Sequence, residues 1–414
     1  ALAWKSSQDD AVTKVFVSPG NAGTALEEKL ENVSLDLNNF EEIAGFCKNE
    51  NIALVIIGPE QPLVKGMTDF LQAKDISTFG PSEAAAQLEG SKTFSKDFFV
   101  KYGIPTAGYA AFGSYDEALI HLDGIEFPTV VKADGLAAGK GVLICNTKNE
   151  AVSALESIFK DQAFGEAGSS VVIEDFLEGE EASFIAVVSK DKIIPLATSQ
   201  DHKAVGEGDV GLNTGGMGAY SPAPVVTDEI HQRIMNEVIY PTVEGMASEG
   251  HPYTGFLYAG LMIDETGTPK VIEYNCRFGD PETQPMMLRL QSDLVELIEA
   301  ANRVELDKTT IKFDPRAAVG VVLAAKGYPG DYPKGDAISG LKVDYPAGEK
   351  VFHAGTKQSG NDVVTAGGRV LCATALGNTV TQAQQRAYEL VKQISWDGME
   401  YRTDIAYRAI AREQ

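Results

Sequence analysis

Short apolar runs alternate with helical patterns through the first ninety residues of this chain. VFV at 15–17 is followed by a helical pattern over 40–47 and then by ALVIIG at 53–58. This βαβ rhythm predicts a parallel sheet, because parallel strands need a crossover element between them. The apolar runs end in PGNAG and GPEQP, at the edge where an open α/β sheet places its ligands. Simple turns are the alternative for both segments.

The rest of the chain shows a different pattern of predicted strands and helices. With 414 residues, three domains are expected. We predict an α/β domain at 1–90, a central α+β domain at 91–312 and a small α+β domain at 313–414. In the central part, FPTVVKADGLAAGKGVLI predicts a strand, a glycine-rich loop and a second strand. SYDE and TKNE are capping boxes that predict helix starts at Ser114 and Thr147.

Charge and cysteine content exclude several classes of function. The net charge of -24 would repel a polyanion, so nucleic acid and anionic membranes are not expected partners. The longest apolar run, AAVGVVLAA, is much shorter than the roughly 20 residues that a membrane span needs, and it predicts a buried strand. The 4 cysteines show no metal spacing. A reducing cytoplasm is therefore the expected location.

A pair of oxygen ligands stands in the segment VIEYNCRFGD. Glu273 and Asn275 are two residues apart on a predicted strand, so both point to one face, roughly 6 to 7 Å apart. A carboxylate and an amide oxygen suit Mg²⁺, which keeps several waters and is completed by nucleotide phosphates. The alternative is a solvated strand face.

Lys132 and the loop that follows it form the second candidate site, and its expected ligand is phosphate. An ammonium flanked by VV on an apolar strand needs an anionic partner. The loop 134–142 carries three glycines and Lys140, whose charge and bare backbone amides could approach phosphate oxygens. Val142 replaces the Ser or Thr of a Walker motif, which disfavours a P-loop enzyme. A flexible turn is the alternative.

A third cluster, IEDFLEGEEASF, follows a predicted strand. Where this strand leaves the sheet, its backbone N–H and C=O groups could pair with the adenine edge, and Glu181 could accept hydrogen bonds from ribose hydroxyls. By itself an acidic loop is a weak signal. After a strand lysine and before an E-x-N strand, it becomes specific for a nucleotide site.

The order of these elements resembles the ATP-grasp superfamily, in which two α+β subdomains hold ATP. Longer segments resemble the glycinamide ribonucleotide synthetases, the phosphoribosylamine-glycine ligase family. They are PGNAGTALE, IGPEQPLVKG, LEGSKTFSKDF, VVKADGLAAGKGV, SQDHK, GLNTGGMGAYSPAP, YTGFLYAGLM, NCRFGDPETQP, HAGTK and AGGRVL. The resemblance implies a Rossmann-like N-terminal domain, an ATP-grasp domain with a mobile lid at about 110–181, and a C-terminal α+β domain.

The resemblance also implies roles for single residues. Catalytic roles fall on Arg277, Lys132 and Asp280. ATP contacts fall on Lys92, Lys132, Gly135, Gly139, Lys140, Gly141, Glu174, Phe176, Leu177 and Glu181, and the metal, Mg²⁺ or Mn²⁺, on Glu273 and Asn275. Substrate contacts fall on Gly20, Asn21, Gly58, Pro59, Glu60, Asp201, His202, Lys203, Asn213, Thr214, Gly215, Gly216, Met217, Gly279 and Glu282.

Two of these assignments have structural alternatives, and one part of the expected site is incomplete. His202 could be a catalytic base or a histidine satisfied by a backbone group. NTGGMG could be a tight turn, and Cys276 is interpreted as a packed thiol. The family's glycine-rich loop for the sugar phosphate would lie before Ala1, so the sugar-phosphate site is incomplete in this sequence.

The implied reaction is ATP-dependent ligation of glycine to 5-phosphoribosylamine in purine biosynthesis, with small-molecule partners only and a monomeric enzyme. Another ATP-grasp carboxylate-amine ligase is the nearest alternative. It should lack NTGGMGAYSP and CRFGDPETQ together, whereas this chain has both. A catalytically silent nucleotide-binding protein is a further alternative, and it should have degraded metal or lid residues.

Overall fold

The computed structural model describes residues 1–137, 141–342 and 344–414. The described chain forms two compact units. The first contains Ala1–Ile52, Ile194–Pro224 and Phe278–Gln414, and the second contains Ala53–Ile193 and Val225–Arg277. Within the described ranges, no helix has the combined length and apolarity needed to cross a membrane.

The first unit is built on a six-stranded antiparallel sheet. Its strands are Gln200–Asp201, Gly218–Ser221, Ala317–Ala325, Arg369–Gly377 and Glu349–His353 in spatial order, with Met399–Glu400 beside Ala317–Ala325. Every residue of Ala317–Ala325 is buried, as its apolar run predicts. The two strands at 200–221 come from the middle of the chain, and sequence reasoning did not anticipate that they join the C-terminal sheet.

Smaller strand pairs and helices complete the first unit. The further strands are Val15–Val17 with Leu30–Asn32, Ala204–Gly206 with Val210–Asn213, and Thr356–Ser359 with Asp362–Thr365. The helices are Leu2–Ser6, Thr24–Leu26, Phe40–Asn49, Thr283–Arg289, Leu294–Asn302, Leu306–Lys308, Val380–Val391 and Tyr407–Glu413. Val380–Val391 packs its apolar face on the sheet through Val380, Ala387 and Leu390, which lie in the main core.

The second unit contains two four-stranded sheets. The first sheet has the order Tyr109–Phe112, Val171–Asp175, Thr129–Ala133 and Val142–Cys145. The second sheet has the order Lys192–Pro195, Glu180–Ser189, Thr254–Ile263 and Pro269–Asn275, and the chain passes into the first unit through Lys192–Pro195. Antiparallel pairing of Thr129–Ala133 with Val142–Cys145 confirms the predicted strand–loop–strand segment.

Helices flank these sheets, and a pair of short strands precedes them. The strands Val55–Ile56 and Thr78–Phe79 are parallel, as are Val15–Val17 and Leu30–Asn32 of the first unit, where the βαβ rhythm predicts parallel pairing. The helices are Glu60–Val64, Met67–Gln72, Gln87–Gly90, Lys92–Tyr102, Tyr115–His121, Lys148–Phe159, Gly165–Gly168, Asp228–Ile234, Met235–Ile239 and Tyr240–Ser248. The hydroxyls of Ser114 and Thr147 accept from Glu117 N and Glu150 N, which confirms both predicted helix starts. The domain limits at 90 and 312 stay a prediction.

Candidate active site

A buried network of two lysines and one carboxylate lies where the first sheet of the second unit faces the helix Lys92–Tyr102. Lys132 Nζ lies 2.9 Å from Glu174 Oε1, and Lys96 Nζ lies 3.0 Å from Glu174 Oε2. Lys132 and Glu174 stand on neighbouring antiparallel strands, which brings the two side chains together. Within this trio, positive charge exceeds negative charge by one. A buried excess of positive charge favours an anionic ligand.

Lys132 also contacts the second sheet of the same unit. Its Nζ donates to the carbonyl oxygen of Ile272 at 3.1 Å. Ile272 lies at a register shift, because Gly260 pairs with Glu273 and Leu261 pairs with Val271. A bulge of this kind takes a residue out of the ladder and leaves its carbonyl open to another donor. Lys132 therefore joins the candidate phosphate site to the strand that carries the candidate metal ligands.

Glu273 and Asn275 lie on one strand on either side of Tyr274. The Tyr274 side chain is buried in the core, and strand alternation turns Glu273 and Asn275 to the opposite face. No three or more His, Cys, Asp or Glu side chains form a metal cage within the described part of the chain. One carboxylate and one amide oxygen fit a divalent cation whose coordination is completed by water and phosphate. The donor set of this strand thus fits the implied metal.

The glycine-rich loop begins against the N-terminus of the helix Lys92–Tyr102. Asp134 Oδ1 accepts from Thr93 N at 2.7 Å, and Lys92 Nζ donates to the carbonyl oxygen of Gly135 at 3.0 Å. Burial lowers the pKa of Lys92, against the opposing effect of the Glu273 carboxylate. Lys92 therefore anchors the loop and lies within electrostatic range of the candidate metal ligand.

The glycines of this loop are closely packed where they are described. A Cβ on Gly135 would lie 2.8 Å from Ala167 Cα, and one on Gly141 would lie 2.7 Å from Ala137 Cβ. These two positions require glycine for steric reasons. Gly139 and Lys140, two of the expected ATP contacts, lie outside the described residues.

The segment that follows the strand Val171–Asp175 carries the residues expected to contact the nucleoside. Phe176 and Leu177 connect the strands Val171–Asp175 and Glu180–Ser189, and Phe176 is 37% exposed, which leaves an aromatic ring open to a ligand. Glu181 pairs with Met262 in the second sheet. The expected nucleoside contacts thus lie on one continuous stretch of chain, whereas Glu174 points to the lysines.

Three sequence motifs converge on Arg277. Its Nη2 lies 3.3 Å from Glu89 Oε1, and its Nε lies 3.5 Å from Glu60 Oε2. The other oxygen of Glu89 accepts from Cys276 N at 2.6 Å. Burial raises the pKa of Glu89 to about 7, and the neighbouring guanidinium opposes that rise. Gly58 and Pro59 precede Glu60, which is the first residue of the helix Glu60–Val64.

Two segments of the first unit that carry expected substrate contacts lie side by side. His202 N donates to Gly218 O at 2.9 Å, and Met217 N donates to His202 O at 2.8 Å. The Thr214 N–H and hydroxyl both donate to Lys203 O at 2.8 Å. The structure therefore brings SQDHK and NTGGMG together. The residues assembled in this way are Asp201, His202, Lys203, Asn213, Thr214, Gly215, Gly216 and Met217.

The His202 side chain is engaged by protein groups on both ring nitrogens. Its Nε2 accepts from Ala406 N at 2.8 Å, and its Nδ1 lies 3.4 Å from Asp209 Oδ1. The ring is 3% exposed, and burial lowers its pKa. This geometry matches the structural alternative for His202, because a neutral ring that donates from Nδ1 and accepts at Nε2 satisfies both contacts.

The remaining expected substrate residues of the first unit occupy two further places. Asp280 lies between Gly279 and the buried Glu282 at the start of the helix Thr283–Arg289, and its Oδ1 accepts from Gln284 at 2.8 Å. Asn21 Nδ2 donates to His353 O at 2.8 Å, so this amide is held within the protein. Gly20, its neighbour, has a φ of 71°.

Sequence reasoning missed three residues that contact these clusters. Lys96 and Glu89 lie in the quoted segment LEGSKTFSKDF, where only Lys92 was assigned. Helical spacing of four residues places Lys96 on the face of Lys92, which is the signal that could have identified it. Arg369, in AGGRVL, donates to the backbone oxygens of Gly215 and Asp280 and to the Asp280 carboxylate, and no local pattern indicates those partners.

All three domains of one family match this chain. The phosphoribosylglycinamide synthetase N domain matches residues 1–89, the ATP-grasp (A) domain residues 90–283 and the C domain residues 318–408. Curated relatives are similar over 100% of the chain. The phosphoribosylamine–glycine ligase of Vibrio parahaemolyticus is 63% identical and covered over 96% of its length, and that of Escherichia coli K12 is 59% identical and covered over 97%.

Two solved structures with the same fold illustrate a ligase with a related name and a more distant enzyme. The crystal structure of phosphoribosylamine–glycine ligase from Thermotoga maritima has a TM-score of 0.82 at 33% identity, covering 98% of this chain and 96% of that one. The biotin carboxylase domain of Hydrogenobacter thermophilus 2-oxoglutarate carboxylase has a TM-score of 0.71 at 18% identity, covering 92% and 84%. The second similarity concerns the fold alone. The expected α/β and α+β multidomain fold with a central ATP-grasp domain is confirmed.

Proposed function

The chain belongs to the phosphoribosylglycinamide synthetase family, and from that premise we propose that it uses ATP to ligate glycine to 5-phosphoribosylamine. The products are glycinamide ribonucleotide, ADP and phosphate. The observation that carries the proposal is 63% identity to a phosphoribosylamine–glycine ligase over the whole chain. The excess of positive charge within the buried trio of Lys96, Lys132 and Glu174 supports the use of ATP.

The first step joins two anions. The glycine carboxylate attacks the γ-phosphorus of ATP, the bond to the β-phosphate oxygen breaks, and glycyl phosphate and ADP form. Lys132 and Lys96, which share one carboxylate, leave one positive charge for the phosphates, and Lys92 lies nearby. Fixed charges inside a protein stabilise such a transition state more strongly than mobile water does.

Arg277 is assigned to the carboxylate that reacts. Glu60 and Glu89 hold its guanidinium, and Glu89 also fixes the backbone at Cys276. A guanidinium held by carboxylates on two other elements keeps its direction while a substrate exchanges. The positions of Glu60 and Glu89 thus support a role for Arg277 in orienting the reacting carboxylate.

Glu273 and Asn275 would hold the divalent cation. When bound, Mg²⁺ neutralises phosphate charge and orients the triphosphate. Oxygen donors favour Mg²⁺, and Mn²⁺ is a workable substitute for the same donors. The chain supplies two donors here, so affinity for the metal should depend strongly on the nucleotide phosphates.

In the second step the amine of phosphoribosylamine attacks the acyl carbon, phosphate leaves, and the nitrogen loses a proton. We assign Asp280 and the segments 201–203, 213–217 and 279–282 to this acceptor. Glycyl phosphate hydrolyses easily, so water must be excluded until the amine attacks. The lid expected at about 110–181, with its glycine-rich loop, is assigned to that task.

The remaining proposals concern the setting of the enzyme. We place it in the cytoplasm as a monomer with small-molecule partners. Sedimentation of the purified protein tests the monomer directly.

The decisive assay measures ADP release with ATP, Mg²⁺ and freshly generated phosphoribosylamine, with and without glycine. Release that requires glycine and phosphoribosylamine together supports the proposed function. Release that ignores glycine, or that accepts another amino acid equally well, would overturn the assignment of the substrate.

A further inference from the structure

Two loops of the first unit, 213–217 and 279–282, both contact the guanidinium of Arg369. The proposed function assigns both loops to the acceptor amine. Arg369 Nη1 donates to the carbonyl oxygens of Gly215 and Asp280, the latter at 2.8 Å. Its Nη2 donates to Asp280 Oδ2 at 2.9 Å. One side chain therefore contacts the backbone of both loops and the carboxylate of one of them.

The guanidinium of Arg369 packs directly against Gly215. A Cβ on Gly215 would lie 2.8 Å from Arg369 Cζ. Gly216 has a φ of 111°, and a Cβ there would lie 2.3 Å from Pro281 Cδ. The two loops are therefore in direct contact, and their glycines permit the approach.

The backbone of Arg369 is held in the sheet. Arg369 is the first residue of the strand Arg369–Gly377, and it pairs with Ala324 next to a register shift. The Gly215 N–H donates to the Tyr328 hydroxyl at 3.0 Å, so a second side chain holds the same loop residue. Both loops thus take their position from groups on or beside the C-terminal sheet.

We propose that Arg369 is a positioning residue for the acceptor amine substrate, because it fixes the loop 213–217 against the loop 279–282. The inference rests on the proposed function and on the acceptor role of these loops. An arginine suits this role because its planar donors reach three oxygens at fixed angles, whereas a lysine offers a single rotating ammonium. Arg369 itself contacts protein oxygens and is not assigned to chemistry.

A matched control exists on a helix packed against the same sheet. Arg386 Nη2 donates to Glu349 at 2.8 Å, and its Nη1 donates to Leu376 O at 2.7 Å. This arginine thus has a carboxylate and a carbonyl as partners, as Arg369 does, but neither partner belongs to an acceptor loop. A role of Arg369 in stability alone would make Arg369→Ala and Arg386→Ala behave alike.

The experiment compares steady-state kinetics and thermal melting of Arg369→Ala, Arg369→Lys, Tyr328→Phe and Arg386→Ala. For Arg369→Ala we expect a ~10–100-fold loss of kcat/KM for phosphoribosylamine, because small misplacements of a reactant cost that much. Arg369→Lys, which keeps the charge, should show the same direction, and Tyr328→Phe a smaller effect. KM for ATP should stay within about twofold of wild type in all four variants.

Several results would overturn the inference. They are wild-type kcat/KM for phosphoribosylamine in Arg369→Lys, equal losses in Arg369→Ala and Arg386→Ala, and a rise in KM for ATP as large as that for phosphoribosylamine. If Arg369→Ala does not fold, Arg369→Lys and Tyr328→Phe decide the question. Failure of the wild-type enzyme to require phosphoribosylamine would refute the proposed function instead, before any variant is compared.

Discussion

The Nζ atom of Lys132 lies 2.9 Å from Oε1 of Glu174, and both side chains are 4% exposed. The other oxygen of this carboxylate lies 3.0 Å from Lys96 Nζ. Burial lowers the pKa of Lys96 to about 8, against the opposing effect of Glu174. One buried carboxylate, that of Glu174, pairs with two lysines. Replacing Glu174 and replacing one of the lysines should therefore have different consequences.

Glu174→Gln should destabilise the protein strongly. The substitution leaves two buried ammonium groups without a countercharge, and breaking a buried ion pair from one side costs about 3–5 kcal/mol. Urea unfolding measures the loss. Glu156→Gln is the control, because Glu156 pairs with Lys160 at the surface with 45% of its side chain exposed. A surface pair contributes about 0–1 kcal/mol, so equal losses in the two variants would contradict the buried network.

Lys96→Met should weaken ATP binding while the fold persists. The variant keeps the pair of Lys132 and Glu174, in which the charges balance, and it fills the space with an apolar chain. The positive excess that favours phosphate is gone, so KM for ATP should rise by roughly tenfold or more. Lys101→Met is the control, since Lys101 is 61% exposed and pairs with Glu249. An unchanged KM for ATP in Lys96→Met would exclude the charge excess as a binding determinant.

Glu273→Gln should reduce turnover by about two to four orders of magnitude with an unchanged melting temperature. The amide keeps the shape of the side chain but loses the negative charge that attracts the metal. Titration of activity with Mg²⁺ should show a higher midpoint than in wild type. Glu265→Gln, in the exposed turn before the same strand, is the control. Wild-type turnover and metal dependence in Glu273→Gln would remove Glu273 from the metal site.

Glu181→Ala should act mainly on ATP affinity. Contacts to ribose hydroxyls are similar in the ground state and the transition state, so their loss raises KM without lowering kcat. Initial rates over a range of ATP concentrations separate the two parameters. A large fall in kcat at unchanged KM would contradict a ribose contact and indicate a role in the reaction itself.

Protein stability should fall in acid partly because of His202. Burial lowers the pKa of this ring below the usual 6.5, so the unfolded chain binds the proton first. The contribution is complete above about pH 6.5 and is lost as the pH falls through the range below it. His353, whose pKa burial lowers to about 4, acts in the same direction.

Urea unfolding of wild type and His202→Gln between pH 7.5 and 5 isolates the His202 share, because His353 remains in both proteins. The difference in unfolding free energy between the two should shrink as the pH falls. A difference that is independent of pH would show that His202 titrates alike in the folded and unfolded chain.

Much of the local structure followed from the sequence. The run AAVGVVLAA is the buried strand Ala317–Ala325, and the capping boxes at Ser114 and Thr147 start helices. Lys132 was expected to need a buried anion, and it has Glu174. These features could be predicted because burial, period and capping depend on residues close together in the chain.

Which side chains contact one another in the fold could not be predicted in the same way. The motifs that carry Glu60, Glu89 and Arg277 are each visible in the sequence, but their convergence on one guanidinium joins residues that lie far apart in the chain. Glu174 was expected among the ATP contacts, and its own partners in the fold are two lysines that no local pattern indicates. Spacing along a strand gives the face of a side chain, but not the group that it meets there.

The sequence by itself determined the elements, the family and the residue types available for holding ATP and a divalent metal. Only the tertiary structure decided that strands from 200–221 pair with the C-terminal sheet, and that Arg369 reaches Gly215 and Asp280. The physical reason is that strand pairing and guanidinium contacts are non-local. They depend on loop closure and packing across long stretches of chain, 154 residues between Arg369 and Gly215 and 89 between Arg369 and Asp280, for which no short pattern carries a signal.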